Sequence, residues 1–401
     1  MLSNRVAKFL FLLLAAIGII GIVTCSSDTV SSRSYKGHES DKDMNNFVNT
    51  YKNTVGTRLD DCQTCHKGAV LTTTTGGLVN KNQCDYCHLI RWPDSTLVNP
   101  PTTYVDTLNL YGTAYYNGGS TRAALRALDE VDSDMDGYTN KFEATGGFEG
   151  HLYYPGDALS HPEQLPAPAI TLNMSEVMAM TPHSEFMVAN TTQQRYDSYV
   201  TYKGVKIIDL LTSLGVNVNA PEFIGITVVS PDGFTKSITS DKVKNQYPPG
   251  LYFHGLDQAT MGNDCGFVEY PNPNPMSASG PIADPQWLML GYMRDNDEKL
   301  DKVTLEVETG KINGEGPYRL IVPQTVPGSP DRGSKYPAPS CADTYGFDSH
   351  KDHNAGEMAR GVIAIRVDPL PAGYEDFDYR NGGWAYVDNS QVIVYGFMIN
   401  K

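Results

Sequence analysis

The sequence predicts an α+β protein in two parts, a small, mainly helical N-terminal part and a longer part that is mostly β with few helices. Three observations carry this. Residues 25–165 hold two CxxCH sequences, short amphipathic segments and one acidic twelve-residue loop. Residues 154–168 collect Pro155, Gly156, Pro162, Pro166 and Pro168, the punctuation of a linker or wrapped loop. Residues 166–401 read as strand-like runs separated by turn residues.

At 401 residues the chain has room for two or three domains of roughly 100–200 residues each. Hydrophobic residues make up 40% and charged residues 19%, a balance that supplies packed cores rather than a disordered chain. With 31 Lys and Arg against 46 Asp and Glu the formal charge is −15, so a nucleic-acid partner is not expected.

Residues 1–24 have the parts of an export signal: Arg5 and Lys8, an apolar run over 9–23, then small polar residues. The run is about 15 residues, short of the roughly 20 that span a bilayer as a helix. It ends in Val23-Thr24-Cys25-Ser26-Ser27, which resembles a bacterial lipoprotein box with Thr24 in place of the usual Gly, Ala or Ser. The resemblance implies a lipoprotein signal peptide at 1–24, a lipidated Cys25 and an exported protein held at the membrane by its acyl chains, in the periplasm or at the outer membrane. Ordinary secretory cleavage nearby is the alternative.

Seven cysteines are present, and four fall in Cys62-Gln63-Thr64-Cys65-His66 and Cys84-Asp85-Tyr86-Cys87-His88. Two thiols separated by two residues form thioethers with both vinyl groups of one porphyrin, and the adjacent histidine reaches the iron. The expectation is two covalent haem c groups, one on Cys62 and Cys65 with His66, the other on Cys84 and Cys87 with His88. Eighteen residues separate the two pairs, a spacing that a four-cysteine zinc ribbon also uses. Zinc needs no histidine directly after each pair, and exported thiols oxidise where thioethers persist, so haem is preferred. Cys265 and Cys341 then suit a disulfide in the distal part.

Seven histidines remain for the far side of each iron. His38 is the first candidate, because the amphipathic stretch 44–51 that follows could fold back over a porphyrin face. His151 and His161 come next, from the loop after the acidic motif. His183, His254, His350 and His353 stay open, since sequence distance cannot choose among them.

Leu125, Leu128 and Val131 give 121–131 a helical spacing, followed at once by Asp132-Ser133-Asp134-Met135-Asp136-Gly137-Tyr138-Thr139-Asn140-Lys141-Phe142-Glu143. This matches a twelve-residue calcium loop. Asp132, Asp134, Asp136, Asn140 and Glu143 supply oxygens at positions 1, 3, 5, 9 and 12, Tyr138 supplies its carbonyl, and Gly137 makes the turn. Thr139 replaces the usual aliphatic residue and no second copy exists, so a structural calcium site fits better than a paired sensor. A solvated acidic loop without metal is the alternative.

Beyond residue 165, Gly225-Ile226-Thr227-Val228-Val229, Ser230-Pro231-Asp232-Gly233 and 234–238 form a hairpin signal. Further strands are expected at 303–307, 318–322 and 362–367, with a pair at 384–387 and 392–397. A helix is expected at 207–214.

Paired haem motifs, the calcium loop and Gly314-Glu315-Gly316-Pro317 ahead of 318–322 together resemble the GEGP-motif diheme c-type cytochromes of metal-reducing bacteria. The resemblance spans nearly the whole mature chain and implies extracytoplasmic electron transfer without assigned catalytic chemistry. The second part alone is similar to the pterin-binding fold of sulfite oxidases at Tyr202-Lys203-Gly204-Val205, Asp209-Leu210-Leu211, 230–234 and 317–323. Neither Cys265 nor Cys341 sits in the motif that ligates molybdenum there, so a scaffold without pterin is expected. Two function classes follow. The first is an electron carrier working with other redox proteins or cytochromes; the second is an oxidoreductase whose distal domain binds molybdopterin or a small substrate.

Overall fold

The computed structural model describes residues 41–74, 76, 78–81, 95–147, 150–191, 197–249, 252–253, 268–271, 273–276, 278–306, 311–328, 330–331, 347–379 and 382–397. Cys25, His38, Cys84, Cys87, His88, His254, Cys265 and Cys341 lie outside them.

The front part is built from short helices, each started by a side chain that accepts an N–H left open at a helix N-terminus. Asp41 caps α1 (Lys42–Thr50), Asn109 caps α2 (Leu110–Asn117), Thr121 caps α3 (Arg122–Ala127) and Thr139 caps α4 (Asn140–Thr145). Between α1 and α2 an antiparallel hairpin, β1 (Ala69–Thr72) with β2 (Leu78–Lys81), follows the first CxxCH sequence. The expected helix over 121–131 stops at Ala127. The Leu128 and Val131 carbonyls turn toward the acidic loop, accepting from Asn140 Nδ2 at 2.7 Å and Asn140 N at 2.8 Å. Phe47, Tyr51, Leu59, Tyr111, Tyr115 and Leu125 form a core of their own, with Cys65 packed against it.

The rear part pairs strands into two larger sheets. A five-stranded sheet runs in the order Ala169–Asn173, Gln391–Gly396, Ala364–Asp368, Gly225–Val229, Thr235–Thr239. A six-stranded sheet is centred on Asp197–Lys206 and Met289–Arg294, with His183–Ala189 and Arg319–Ile321 on their other edges. One core draws on both, from Val228, Ile365 and Val394 to Tyr199, Leu290 and Leu320, together with Leu210 and Leu211 of the helix Ile207–Ser213. The chain is thus a mixture of helix and strand.

The expected hairpin forms, with Ser230 N donating to the Phe234 carbonyl at 2.8 Å. The runs at 303–307, 318–322 and 362–367 become Thr304–Glu306, Arg319–Ile321 and Ala364–Asp368. The strand expected at 384–387 is a helix, Gly383–Asn389. Trp384 and Val387 are buried three residues apart, so a helical face, rather than their strand propensity, meets the core.

Glu315 of the Gly-Glu-Gly-Pro sequence pins the rear part. Its Oε1 lies 3.0 Å from Arg294 and 2.9 Å from Arg319, whose other contact is the Tyr202 hydroxyl at 2.7 Å.

Front and rear meet directly. Leu165–Pro166 pairs in parallel with Tyr374–Glu375, the Tyr379 hydroxyl donates to Asp61 Oδ2 at 2.6 Å, and Arg58 lies 3.5 Å from Glu375. A cavity of about 360 Å³ opens between them, lined among others by Arg58, Gln63, Val70, Asp157, Glu375 and Arg366.

Candidate functional site

The sequence Cys62-Gln63-Thr64-Cys65-His66 forms one tight turn, in which Cys65 N and His66 N both donate to the Cys62 carbonyl, at 3.1 and 2.9 Å. Among the described residues Cys65 forms no disulfide. Buried Thr64 fixes the turn from below by donating to the Leu59 carbonyl at 2.8 Å. Asn109 fixes it from the side: Nδ2 donates to the carbonyls of Gln63 and Thr64, each at 3.1 Å, and its N–H donates to the Cys65 carbonyl at 2.9 Å. Helix α2 then packs so closely that a Cβ on Gly112 would stand 2.1 Å from the Cys65 carbonyl oxygen.

His66 is oriented by Thr107. The two side chains meet at 2.8 Å, Nδ1 to Oγ1, and the Thr107 hydroxyl also lies 2.6 Å from the Tyr104 carbonyl. A hydroxyl has one proton, and a carbonyl can only accept, so that proton goes to Tyr104 and Thr107 accepts from Nδ1–H of His66. This leaves the lone pair on Nε2, the tautomer that a metal-ligating histidine presents when its other nitrogen is held by an outer partner. Burial lowers the imidazole's pKa against the pull of Asp41 and Asp43, which keeps it neutral, and burial pushes the Cys65 thiol up to about 12. Tyr104 and Leu110, on the segment that holds His66, expose large apolar side chains. Two cysteines in one turn, a neutral histidine whose Nε2 keeps its lone pair and uncovered apolar surface fit a covalently attached haem at this motif.

The acidic loop folds around its first residue. Asp132 Oδ1 accepts from Met135 N and Asp136 N at 2.7 and 3.2 Å, its Oδ2 accepts from Gly137 N at 2.9 Å, and Asp136 Oδ1 accepts from Tyr138 N at 2.9 Å. Gly137 takes φ +101°, a conformation that side-chain-bearing residues rarely adopt. Carboxylate oxygens of Asp132, Asp134 and Asp136 lie within 4.8 Å of one another. Oxygens bound to one calcium at 2.3–2.6 Å lie no more than about 5 Å apart, so the three match a shared ion. Glu143 and Asn140 are fully buried. Among the described residues, both Glu143 carboxylate oxygens, both of Asp134, Asp136 Oδ2 and Asn140 Oδ1 find no hydrogen-bond partner.

Without a cation this arrangement is electrostatically costly. Burial first, then the neighbouring aspartates, push Glu143 up to about 10 and Asp134 up to about 7. Four carboxylates, several with unspent oxygens sealed from water, are a donor set for a hard divalent ion. Among the described residues, Asp132, Asp134 and Asp136 are the only group of His, Cys, Asp and Glu side chains close enough to share a metal, and Glu143 lies beyond that 4.8 Å group.

The wrapped segment after α4 links the two places. Tyr153 N donates to the Glu143 carbonyl at 3.2 Å, and the Tyr154 hydroxyl donates to the Arg58 carbonyl at 3.0 Å, four residues before Cys62. Gly156 then lies against Asn109, where a Cβ would meet the carboxamide at 2.4 Å.

The other histidines are placed as follows. His151 is half exposed, with Nε2 3.3 Å from Arg58 and 3.6 Å from Glu375. His161 stacks on Tyr138, and both of its ring nitrogens are engaged, Nδ1 by Glu163 N at 3.2 Å and Nε2 by Gln164 at 2.8 Å. His183 and His353 pair with buried Glu185 and Asp331 at 3.1 and 3.2 Å, and His350 is exposed.

Thr107, Asn109, Tyr153 and Tyr154 also shape this region, and sequence reasoning missed them. Only Asn109 carried a signal, as a helix cap before Leu110. Among the described residues no helix is long and apolar enough to cross a membrane. No protein-family model, curated protein or solved structure matches this chain.

Proposed function

We propose that the chain is an exported, lipid-anchored diheme c-type cytochrome that moves electrons between other redox proteins, with a calcium ion bound in the loop 132–143. The observation that carries this reading is the Thr107 bond to His66, because an imidazole in a CxxCH turn held with Nε2 bare is prepared for iron. When bound, haem supplies a one-electron iron couple whose potential is set by axial ligands, hydrogen bonding and burial. The chain's own residues do the rest. Cys62 and Cys65 would anchor the porphyrin covalently, and His66 would ligate the iron through Nε2. Thr107 holds the ring's orientation and tautomer, and Cys84, Cys87 and His88 repeat the set for the second haem.

Asp132, Asp134, Asp136, Asn140 and Glu143, with the Tyr138 carbonyl, would hold calcium, and the ion's charge would offset four carboxylates packed together. In this reading Cys25 carries the lipid, Cys265 and Cys341 pair in the rear part, and redox activity resides before residue 165. The net charge of −15 suits docking to a basic face on an electron-transfer partner.

The test is a pyridine haemochrome count with the mass of the denatured protein. Two covalent haems per chain are expected, and fewer than two sinks the reading. Metal analysis separates it from a molybdopterin enzyme, since iron with calcium is expected and stoichiometric molybdenum would overturn the carrier assignment.

A further inference from the structure

We infer that Asn109 is the positioning residue of the first haem-attachment turn, and that the segment 153–156 makes this turn depend on calcium in the acidic loop. The inference rests on the diheme reading and adds to it how one of the two haems is set.

Asn109 uses its groups in two directions. Its Oδ1 accepts from Gly112 N at 2.8 Å, which caps α2, while Nδ2 and the backbone N–H hold the carbonyls of Gln63, Thr64 and Cys65. Three consecutive carbonyls of the CxxCH turn are therefore fixed by one residue, through bonds to the backbone alone. The direction of those peptide planes sets where the Cys62 and Cys65 side chains leave the backbone, and hence whether both reach one porphyrin. With Asn109 only 6% exposed, water does not substitute for these bonds.

Asn109 is in turn confined by the segment whose start is bonded to a metal ligand. Tyr153 N is held by the Glu143 carbonyl, Tyr154 OH by the Arg58 carbonyl, and Gly156 closes on the Asn109 carboxamide. An ion that draws Glu143 toward Asp132, Asp134 and Asp136 fixes the start of this segment. Loss of the ion lets Glu143 retreat from the other carboxylates and loosens the segment that confines Asn109.

The substitution Asn109→Asp separates positioning from folding. Aspartate keeps an oxygen for Gly112 N and caps helices as well as asparagine, but it offers at most one O–H, and only when protonated, where Asn109 gives two N–H donors to Gln63 and Thr64. In the full-length protein, peptide-resolved mass should show haem on Cys62 and Cys65 falling by about tenfold relative to Cys84 and Cys87, the low end of what losing an outer partner costs a metal site. Far-UV circular dichroism should be unchanged. For the calcium arm, amide hydrogen exchange of the wild-type holoprotein is followed with and without a chelator. Exchange at the 62–66 peptide should accelerate on chelation while the 84–88 peptide stays constant.

A wild-type protein with two haems and an Asn109→Asp variant that also holds two, in wild-type proportion, overturns the positioning role alone. Exchange at 62–66 that ignores calcium overturns the part assigned to 153–156. A wild-type protein with no covalent haem fails the cytochrome reading itself, and the inference falls with it.

Discussion

The Thr107 hydroxyl stands 2.8 Å from Nδ1 of His66 and gives its own proton to the Tyr104 carbonyl, so one buried side chain fixes which nitrogen of the imidazole is bare. Thr107→Val removes the acceptor while keeping the shape, and leaves His66 Nδ1–H without a partner. The expected cost is about 1–3 kcal/mol in stability, together with loss of haem or a changed axial-ligand spectrum at the first motif. Thr107→Ser should restore both. Optical and low-temperature magnetic spectra of the two variants check this, and a wild-type spectrum for Thr107→Val would remove Thr107 from the site.

In the proposed calcium site, Glu143 separates ion binding from ordinary stability because its replacement acts strongly with the ion and little without it. Glu143→Gln loses a charged ligand, so calcium affinity should fall by at least about tenfold and the calcium-loaded protein should melt lower. In chelator at pH 7 the same variant should melt close to wild type, since burial, then the neighbouring aspartates, push Glu143 up to about 10 and leave it protonated and uncharged there. Calorimetric titration and thermal melts test both conditions. A melting temperature of the wild type that thorough chelation leaves unchanged would count against a structural ion.

The parts of this molecule that sequence exposes are those whose partners are local. The acidic cluster in the loop 132–143 is readable because its residues fall within twelve positions, and the hairpin at 225–239 because its turn residues sit between its strands. Thr107 and Asn109 bond to a turn more than forty residues away, and threonine and asparagine are common enough that no spacing marks them. Trp384 misled for a different reason. Its aromatic and β-branched neighbours suit a strand, but packing buried a helical face, and tertiary context outweighs propensity in so short a segment. The extent of the front part was also hard to place, since Arg58, Asp61 and His151 find partners in the rear part at Glu375 and Tyr379.

Glu375 shows how the two parts are held. It lies 3.5 Å from Arg58, a guanidinium only 5% exposed whose Nε has no partner, and 3.6 Å from His151. Glu375→Gln removes the counter-charge and leaves Arg58 buried against a neutral amide. Because Glu375 is partly exposed, the expected loss is about 2–3 kcal/mol rather than the larger penalty of a fully sealed pair. Adding Arg58→Met should recover much of it, because the uncompensated charge is then gone. Urea denaturation of the two single variants and the double variant measures the coupling, and purely additive losses would show that the pair does not join the parts.

Asp197 gives the rear part a pH dependence with a definite sign. Its carboxylate is 1% exposed and accepts from Thr191 N and Asp331 N, each at 2.8 Å. Burial raises its pKa to about 8 in spite of these two N–H donors, and the nearby Asp331 carboxylate adds to the rise. An unfolded aspartate titrates near 3.9, so between these values the folded chain binds a proton that the unfolded chain does not. The group's contribution to stability is complete below about pH 4 and is lost as pH rises through about 8. Asp197→Asn cannot ionise, although its amide meets Asp331 N poorly and lowers stability at every pH. The measurement is therefore the slope: denaturation midpoints should fall less between about pH 5 and pH 9 in the variant than in the wild type. Calcium should be kept saturating throughout, so that the acidic loop does not add its own titration. Equal slopes would mean that Asp197 is already charged in the fold, held so by the two backbone N–H groups.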